Sequence, residues 1–190
     1  MVTNVMIVGV GGQGSLLASK LLGNVVLKKG FDVKVSEVHG MSQRGGSVVT
    51  YVRWGDKVYS PIIDKGEADY IISFELLEAA RYIDYLKKGG TVIVNSQQLD
   101  PMPVLTGAAQ YPEGLEEKMR TSGATVDALD ALGLAMQAGS AKSANIALMG
   151  RFSNYYKDIS KEEWLSALAD CVKPQFLEMN KKAFALGRAK

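Results

Sequence analysis

The sequence predicts an α/β domain with three layers, α/β/α. A mostly parallel, Rossmann-like sheet carries a β-hairpin, and the C-terminal third is helical. Three observations lead there. Val5 to Val10 is a β-branched apolar run that passes through GGQG into an amphipathic segment, a strand–turn–helix unit. Further apolar runs of strand length recur at Asp32–Val38, Ser47–Trp54, Asp69–Phe74 and Thr91–Asn95. Beyond Gly123 the apolar residues take up helical spacing and alanine becomes common.

Taken in order, VMIVGV reads as a buried parallel strand. Ser15 to Lys29 follows as a helix, with Leu17, Leu21 and Val25, and Ala18, Leu22 and Val26, recurring every four residues while Lys20, Asn24 and Lys28 fall opposite. Gly30 ends it as a left-handed cap. Asp32–Val38 is a second strand, and His39 to Gly46 (HGMSQRGG) a polar, glycine-rich loop. Ser47–Trp54, the Gly55-Asp56 pair and Lys57–Ser60 suggest the hairpin. Asp69–Phe74 is a strand, Glu75–Leu86 a helix with Leu76, Ala79, Ala80 and Ile83 inward, and Thr91–Asn95 a strand after a turn at Lys87–Gly90. Gln97 to Gly123, with three prolines, is expected to be a surface excursion carrying one short strand at Gly107–Tyr111. Val126–Ala138 and Ser143–Arg151 read as helices. Ser160 and Glu163 form a capping box for a helix through Ala169, and Pro174 opens a last helix to about Leu186.

The chain has 190 residues, 47% hydrophobic and 22% charged, so residues 1–190 are read as a single domain able to bury a real core. A net charge of +2 gives no electrostatic reason to expect nucleic acid. No apolar run reaches the ~20 residues needed to span a bilayer, and the N-terminus lacks a basic region before its apolar stretch, so a soluble, cytoplasmic protein is expected. The single cysteine, Cys171, cannot form an internal disulfide, nor can this chain alone supply four thiolates for an iron–sulfur cluster.

Two constellations carry chemistry. Gly9, Gly11 and Gly14 fit G-x-G-x-x-G, and with Gly12 and Gln13 they form the candidate cofactor-binding turn. Its backbone N–H groups and the helix N-terminus favour an anion. Glu37 lies where a dinucleotide fold places its ribose-binding acid. A stand-alone NAD(P)- or flavin-binding oxidoreductase is therefore one reading; close helix–strand packing at Gly11 and Gly14 is another. Against the dinucleotide reading, only eight loop residues separate the second strand from the hairpin, too few for a crossover helix. The second constellation is His39, Ser42, Gln43, Arg44, Gly45 and Gly46, which can bind substrate, face a partner or simply be a solvated loop. Arg44 would suit a phosphate, a carboxylate or an interface pair. His39 is the sole histidine, and neither a nucleophile–base pair nor a metal-ligand set accompanies it. Binding chemistry is present and no catalytic residue is assigned.

GVGGQGSLLASKLLG, SEVHGMSQRGGSVVTYVRWGDKVYSP, GEADYIISFELLEAARYIDYLKKGGTVIVN and NKKAFALG together resemble the gamma-type subunit or domain of the 2-oxoacid:ferredoxin oxidoreductases. The likeness spans most of the chain outside Gln97–Gly123, and HGMSQRGG is most similar to the small (beta) subunit of the indolepyruvate branch. It implies a non-catalytic small subunit of a complex that decarboxylates a 2-oxoacid on thiamine diphosphate, passes electrons through iron–sulfur clusters to ferredoxin, and releases an acyl-CoA. The thiamine diphosphate and the clusters are then expected in a large partner subunit. The two constellations here would contribute a coenzyme A contact or an inter-subunit surface.

Overall fold

The computed structural model describes residues 1–37 and 45–190. Its sheet has the order β2-β3-β1-β4-β5-β6, with β1 Val2–Val10, β2 Asp32–Glu37, β3 Ser47–Gly55, β4 Ala68–Ser73, β5 Leu86–Asn95 and β6 Thr125–Leu129. β1 pairs parallel with β4, β4 with β5 and β5 with β6, while β3 runs antiparallel between β1 and β2. The sheet is thus mostly parallel, as the sequence predicts. The helices are α1 Ser15–Lys28, α2 Leu76–Arg81, α3 Met102–Leu105, α4 Leu115–Thr121, α5 Ala131–Ala138, α6 Ala144–Phe152, α7 Lys161–Cys171 and α8 Pro174–Ala189. No helix among the described residues is long and apolar enough to cross a membrane.

Period-2 alternation in β1 builds both cores. Val5 and Ile7 join a cluster with α1, α6, α7 and α8, whereas Met6 and Val8 face a second cluster with α2 and α4. The first holds Trp54, Phe152, Trp164 and Phe184, and there α6 and α8 approach so closely that a Cβ on Gly187 would sit 1.8 Å from the Ala147 carbonyl oxygen. The Ser160–Glu163 capping box forms as expected.

Five expectations are corrected. Lys57–Ser60 does not pair with β3, because both edges of β3 are taken by β1 and β2. The segment is held instead by Asp32, which accepts from Val58 N at 2.9 Å, and by Arg53, which donates to the carbonyl oxygen of Ser60 at 3.0 Å. The antiparallel pair lies one element earlier, between β2 and β3. Thr125–Leu129 is an edge strand and not the start of a helix, since the Asp130 side chain accepts from Gly133 N at 2.8 Å and so fixes the N-terminus of α5. Lys87–Gly90 belongs to β5, with an irregularity in register between Ala68 and Tyr70, and α2 is short, ending before a 3-10 turn at Ile83–Tyr85. Gly107–Tyr111 forms no strand; α3 and α4 occupy the excursion.

Candidate functional site: a crevice at the carboxyl ends of the strands

A crevice of about 500 Å³ opens beyond the carboxyl ends of β1, β4 and β5, where ligands settle in open α/β sheets. Gly12, Gln13 and Gly14 form one wall, Phe74, Asn95, Gln97 and Leu99 another, and Leu132, Lys142 and Asn145 close the far side. Its polar frame is a set of carboxamides. Gln13 accepts from Val10 N at 2.7 Å and donates to the Phe74 carbonyl at 3.1 Å, tying β1 to β4. Asn95, buried at the end of β5, donates to the same carbonyl at 3.2 Å and accepts from Ala131 N at 3.0 Å, tying β5 to α5. Asn145 of α6 donates to the Gly14 carbonyl at 3.0 Å. Because each amide is engaged, the frame is rigid and its groups act as positioners.

The glycines divide by role. Gly14 takes the left-handed backbone, φ 87°, and a Cβ there would meet Asn145 Nδ2 at 2.3 Å, so glycine is required by both geometry and packing. Gly9 is buried, and a Cβ on it would sit 2.9 Å from the Gln13 oxygen; it seats Gln13 and does not line the crevice. Gly12 has open space where its side chain would be. Gly11 N donates to the Gly46 carbonyl at 2.8 Å, which brings the end of the second loop against the glycine turn. Gly45 and Gly46 are therefore adjacent to the turn, as the sequence suggests. His39, Ser42, Gln43 and Arg44 lie outside the described residues. Glu37 does not reach the crevice: β3 separates β2 from β1, and the Glu37 carboxylate accepts from Ser19 on α1. This arrangement speaks against a ribose-binding acid.

Beside the crevice lies a buried carboxylate network. Glu75, at the end of β4, accepts from Glu78 N at 2.8 Å, from Leu99 N at 3.1 Å and from the Tyr111 hydroxyl at 2.5 Å. Burial, reinforced by the Glu75 contact, pushes the Tyr111 hydroxyl well above its ordinary value. Glu78 accepts from the Ser47 hydroxyl, just past the second loop, and from Arg81 Nε at 3.1 Å. Burial raises the Glu78 carboxyl above its ordinary value, with Ser47 and Arg81 opposing the shift and Glu75 adding to it.

Asn95, Gln97, Lys142 and Asn145 were not singled out from sequence. A polar residue closing the apolar run TVIVN is a signal that could have found Asn95. Asn145 has no such signal, since its partner Gly14 is 131 residues away in the chain.

A family model described as pyruvate ferredoxin/flavodoxin oxidoreductase matches residues 4–190. The indolepyruvate oxidoreductase subunit IorB of Thermococcus kodakarensis is 45% identical over 188 residues, covering 97% of this chain and 93% of the relative. That of Pyrococcus horikoshii is 46% identical over 189 residues, with 97% and 93% covered. Among solved structures, the keto/oxoacid ferredoxin oxidoreductase gamma subunit from Geobacter sulfurreducens PCA has a TM-score of 0.72 at 23% identity, covering 97% of this chain and 95% of that one. The 2-oxoglutarate:ferredoxin oxidoreductase from Magnetococcus marinus has a TM-score of 0.75 at 20% identity, covering 99% of this chain and 30% of that longer one. These two structures match the fold described above; the family match and the sequence relatives carry the assignment, and the chain belongs to the pyruvate ferredoxin/flavodoxin oxidoreductase family.

Proposed function

We propose that this chain is the non-catalytic small subunit of a 2-oxoacid:ferredoxin oxidoreductase that acts on indolepyruvate or a related aryl pyruvate, working in the cytoplasm. The observation that carries this is the 45% identity with an indolepyruvate oxidoreductase subunit over nearly the whole of both chains. The reaction centre belongs to a large partner subunit, which holds thiamine diphosphate and iron–sulfur clusters and passes electrons to ferredoxin. Neither group suits the residues of this chain. No carboxylate lines the crevice among the described residues, so nothing there would hold the divalent metal that a diphosphate cofactor requires. One cysteine cannot ligate a four-thiolate cluster.

Coenzyme A, as a substrate of the complex, suits the crevice better. Gly11 N and Gln13 N already donate to the Gly46 and Val10 carbonyls, so it is the other amides of the glycine turn, with the N-terminus of α1 and the Lys142 ammonium, that favour phosphate oxygens. Leu17, Phe74, Leu99 and Leu132 offer an apolar path for the pantetheine arm. Arg44 is a second candidate cation for the same contact or for the partner surface.

Co-expression with candidate thiamine-dependent large subunits, pull-down, and a viologen- or ferredoxin-reduction assay across several 2-oxoacids test the assignment. Co-purification and preference for aryl pyruvates are expected; failure to associate with any such subunit would overturn it. In the assembled complex, Lys142→Ala should raise KM for coenzyme A about tenfold and leave KM for the 2-oxoacid unchanged, which corresponds to about 1.4 kcal/mol.

A further inference from the structure

A second cavity, of about 530 Å³, shares Leu17 and Lys142 with the crevice but opens at the junction of α7 and α8. It holds an unexplained polar group. Ser143 stands at the N-cap position of α6, where a serine ordinarily accepts from its own helix, yet it makes no capping bond. Its hydroxyl is buried, the residue is 1% exposed, and Oγ has no hydrogen-bond partner among the described residues. The neighbouring Ser140, by contrast, accepts from Lys142 N at 3.2 Å. An unsatisfied buried hydroxyl is destabilising unless something else meets it.

The surroundings define what that is. Lys142 and Lys173 line the cavity, no carboxylate among the described residues does, and the first turn of α8, which has no side-chain cap at Lys173, lies against it. All of these favour a negative charge. Ser140 and Asn180 are already engaged, accepting from Lys142 N at 3.2 Å and donating to the Phe176 carbonyl at 2.8 Å respectively, and the other walls are apolar; among these Phe176 and Met179 offer an aromatic face and a polarisable sulfur suited to a ring. A small dianion would leave those walls without a partner.

We infer that this cavity binds an aryl monocarboxylate, whose carboxylate accepts from the Ser143 hydroxyl beside Lys142 and Lys173 while its ring packs on Phe176 and Met179. The inference stands apart from the subunit assignment, since it concerns a different cavity and is read on the full chain alone.

Calorimetry of the full chain with indole-3-acetate as probe tests it, with tryptophol and acetate as uncharged and ring-less controls. Binding of indole-3-acetate with a Kd of about 1 mM or tighter is expected, with both controls at least about tenfold weaker. Bound acid should also slow maleimide labelling of Cys171, which lines the same cavity. Ser143→Ala has a signature that a merely structural serine would not give. It should raise the Tm of the unliganded chain by about 2–4 °C while weakening the acid about tenfold. Should that buried variant fail to fold, Lys173→Glu and Phe176→Ser, both at exposed positions, replace it: the first should weaken the acid more than the alcohol, the second should weaken both. No binding, equal affinity for acid and alcohol, Ser143→Ala lowering Tm, or unchanged Cys171 labelling would each overturn the inference.

Discussion

The two faces of the sheet are built on different principles. The face under α1, α6, α7 and α8 is aromatic and aliphatic, with Trp164 edge-on to Phe152 at a centroid distance of 6.2 Å and tilted by 35° to Phe184 at 6.0 Å. The face under α2 and α4 has smaller side chains, such as Met6, Val8, Ile71 and Val94, and beside it the Glu75–Tyr111–Glu78 network ties the residues around Leu99 and Tyr111 to α2. The first rests mainly on dispersion and apolar burial, which are indifferent to pH, with one ionic contact, Asp127 accepting from Arg151 and Tyr155, beside it. The other rests in part on charge-assisted hydrogen bonds in a dry setting, which are not. The crevice lies at the ends of the strands shared by both, and the polar network also reaches Ser47 beside the second loop.

The largest test of this contrast is Trp164→Ala, expected to cost about 3–5 kcal/mol in denaturant unfolding. Trp164 is fully buried and its indole N–H has no partner among the described residues, so the loss is one of packing and should be the same at acidic and neutral pH. A strongly pH-dependent loss would break the contrast. On the opposite face, Tyr111→Phe removes a hydrogen bond to a buried carboxylate and is expected to cost about 1.5–3 kcal/mol. Its further effect should be local: faster amide exchange at Leu77 and Leu99, whose N–H groups bond Tyr111 and Glu75. Uniform acceleration across the chain would instead make Tyr111 part of the global core.

The same contrast explains what the sequence made legible. Strands β1, β4 and β5 and helix α1 could be read because burial writes a period of 2 or 3.6 into the chain, and Ser160–Glu163 because a capping box is local. The adjacency of the glycine turn and Gly46 followed from both lying at strand ends. The place of β3 could not be read, because pairing with β1 and β2 together is a non-local choice that left Lys57–Ser60 without a strand partner. β6 was hidden by VDALDALGLAMQA, where a five-residue edge strand merges into the apolar spacing of α5 and only Asp130 marks the boundary. Gly14 was legible as a special residue, but the reason for it, Asn145, was not. The charged network was invisible because Glu75, Tyr111 and Ser47 share no spacing.

The smallest effect is the most diagnostic. Glu78 has a folded-state pKa above its ordinary 4.5, chiefly through burial, so over that window the folded chain keeps a proton that the unfolded chain has released. The stability linked to that proton is fully present below the ordinary value and is lost as pH rises through the raised one. Glu78→Gln keeps an acceptor for Ser47 but cannot titrate. The stability difference, wild type minus variant, should therefore fall with rising pH across this window and be flat on either side, as urea unfolding at a series of pH values would show. The carboxylates Asp32, Glu163 and Asp170 have lowered pKa values through Lys34, the Ser160 backbone and Lys28 respectively, and they lose their contribution at lower pH. Since both proteins share them, they cancel in the difference. Parallel curves for wild type and variant would show that Arg81 and Ser47 fully offset the burial of Glu78, and that the α2 face is no more sensitive to pH than the aromatic one.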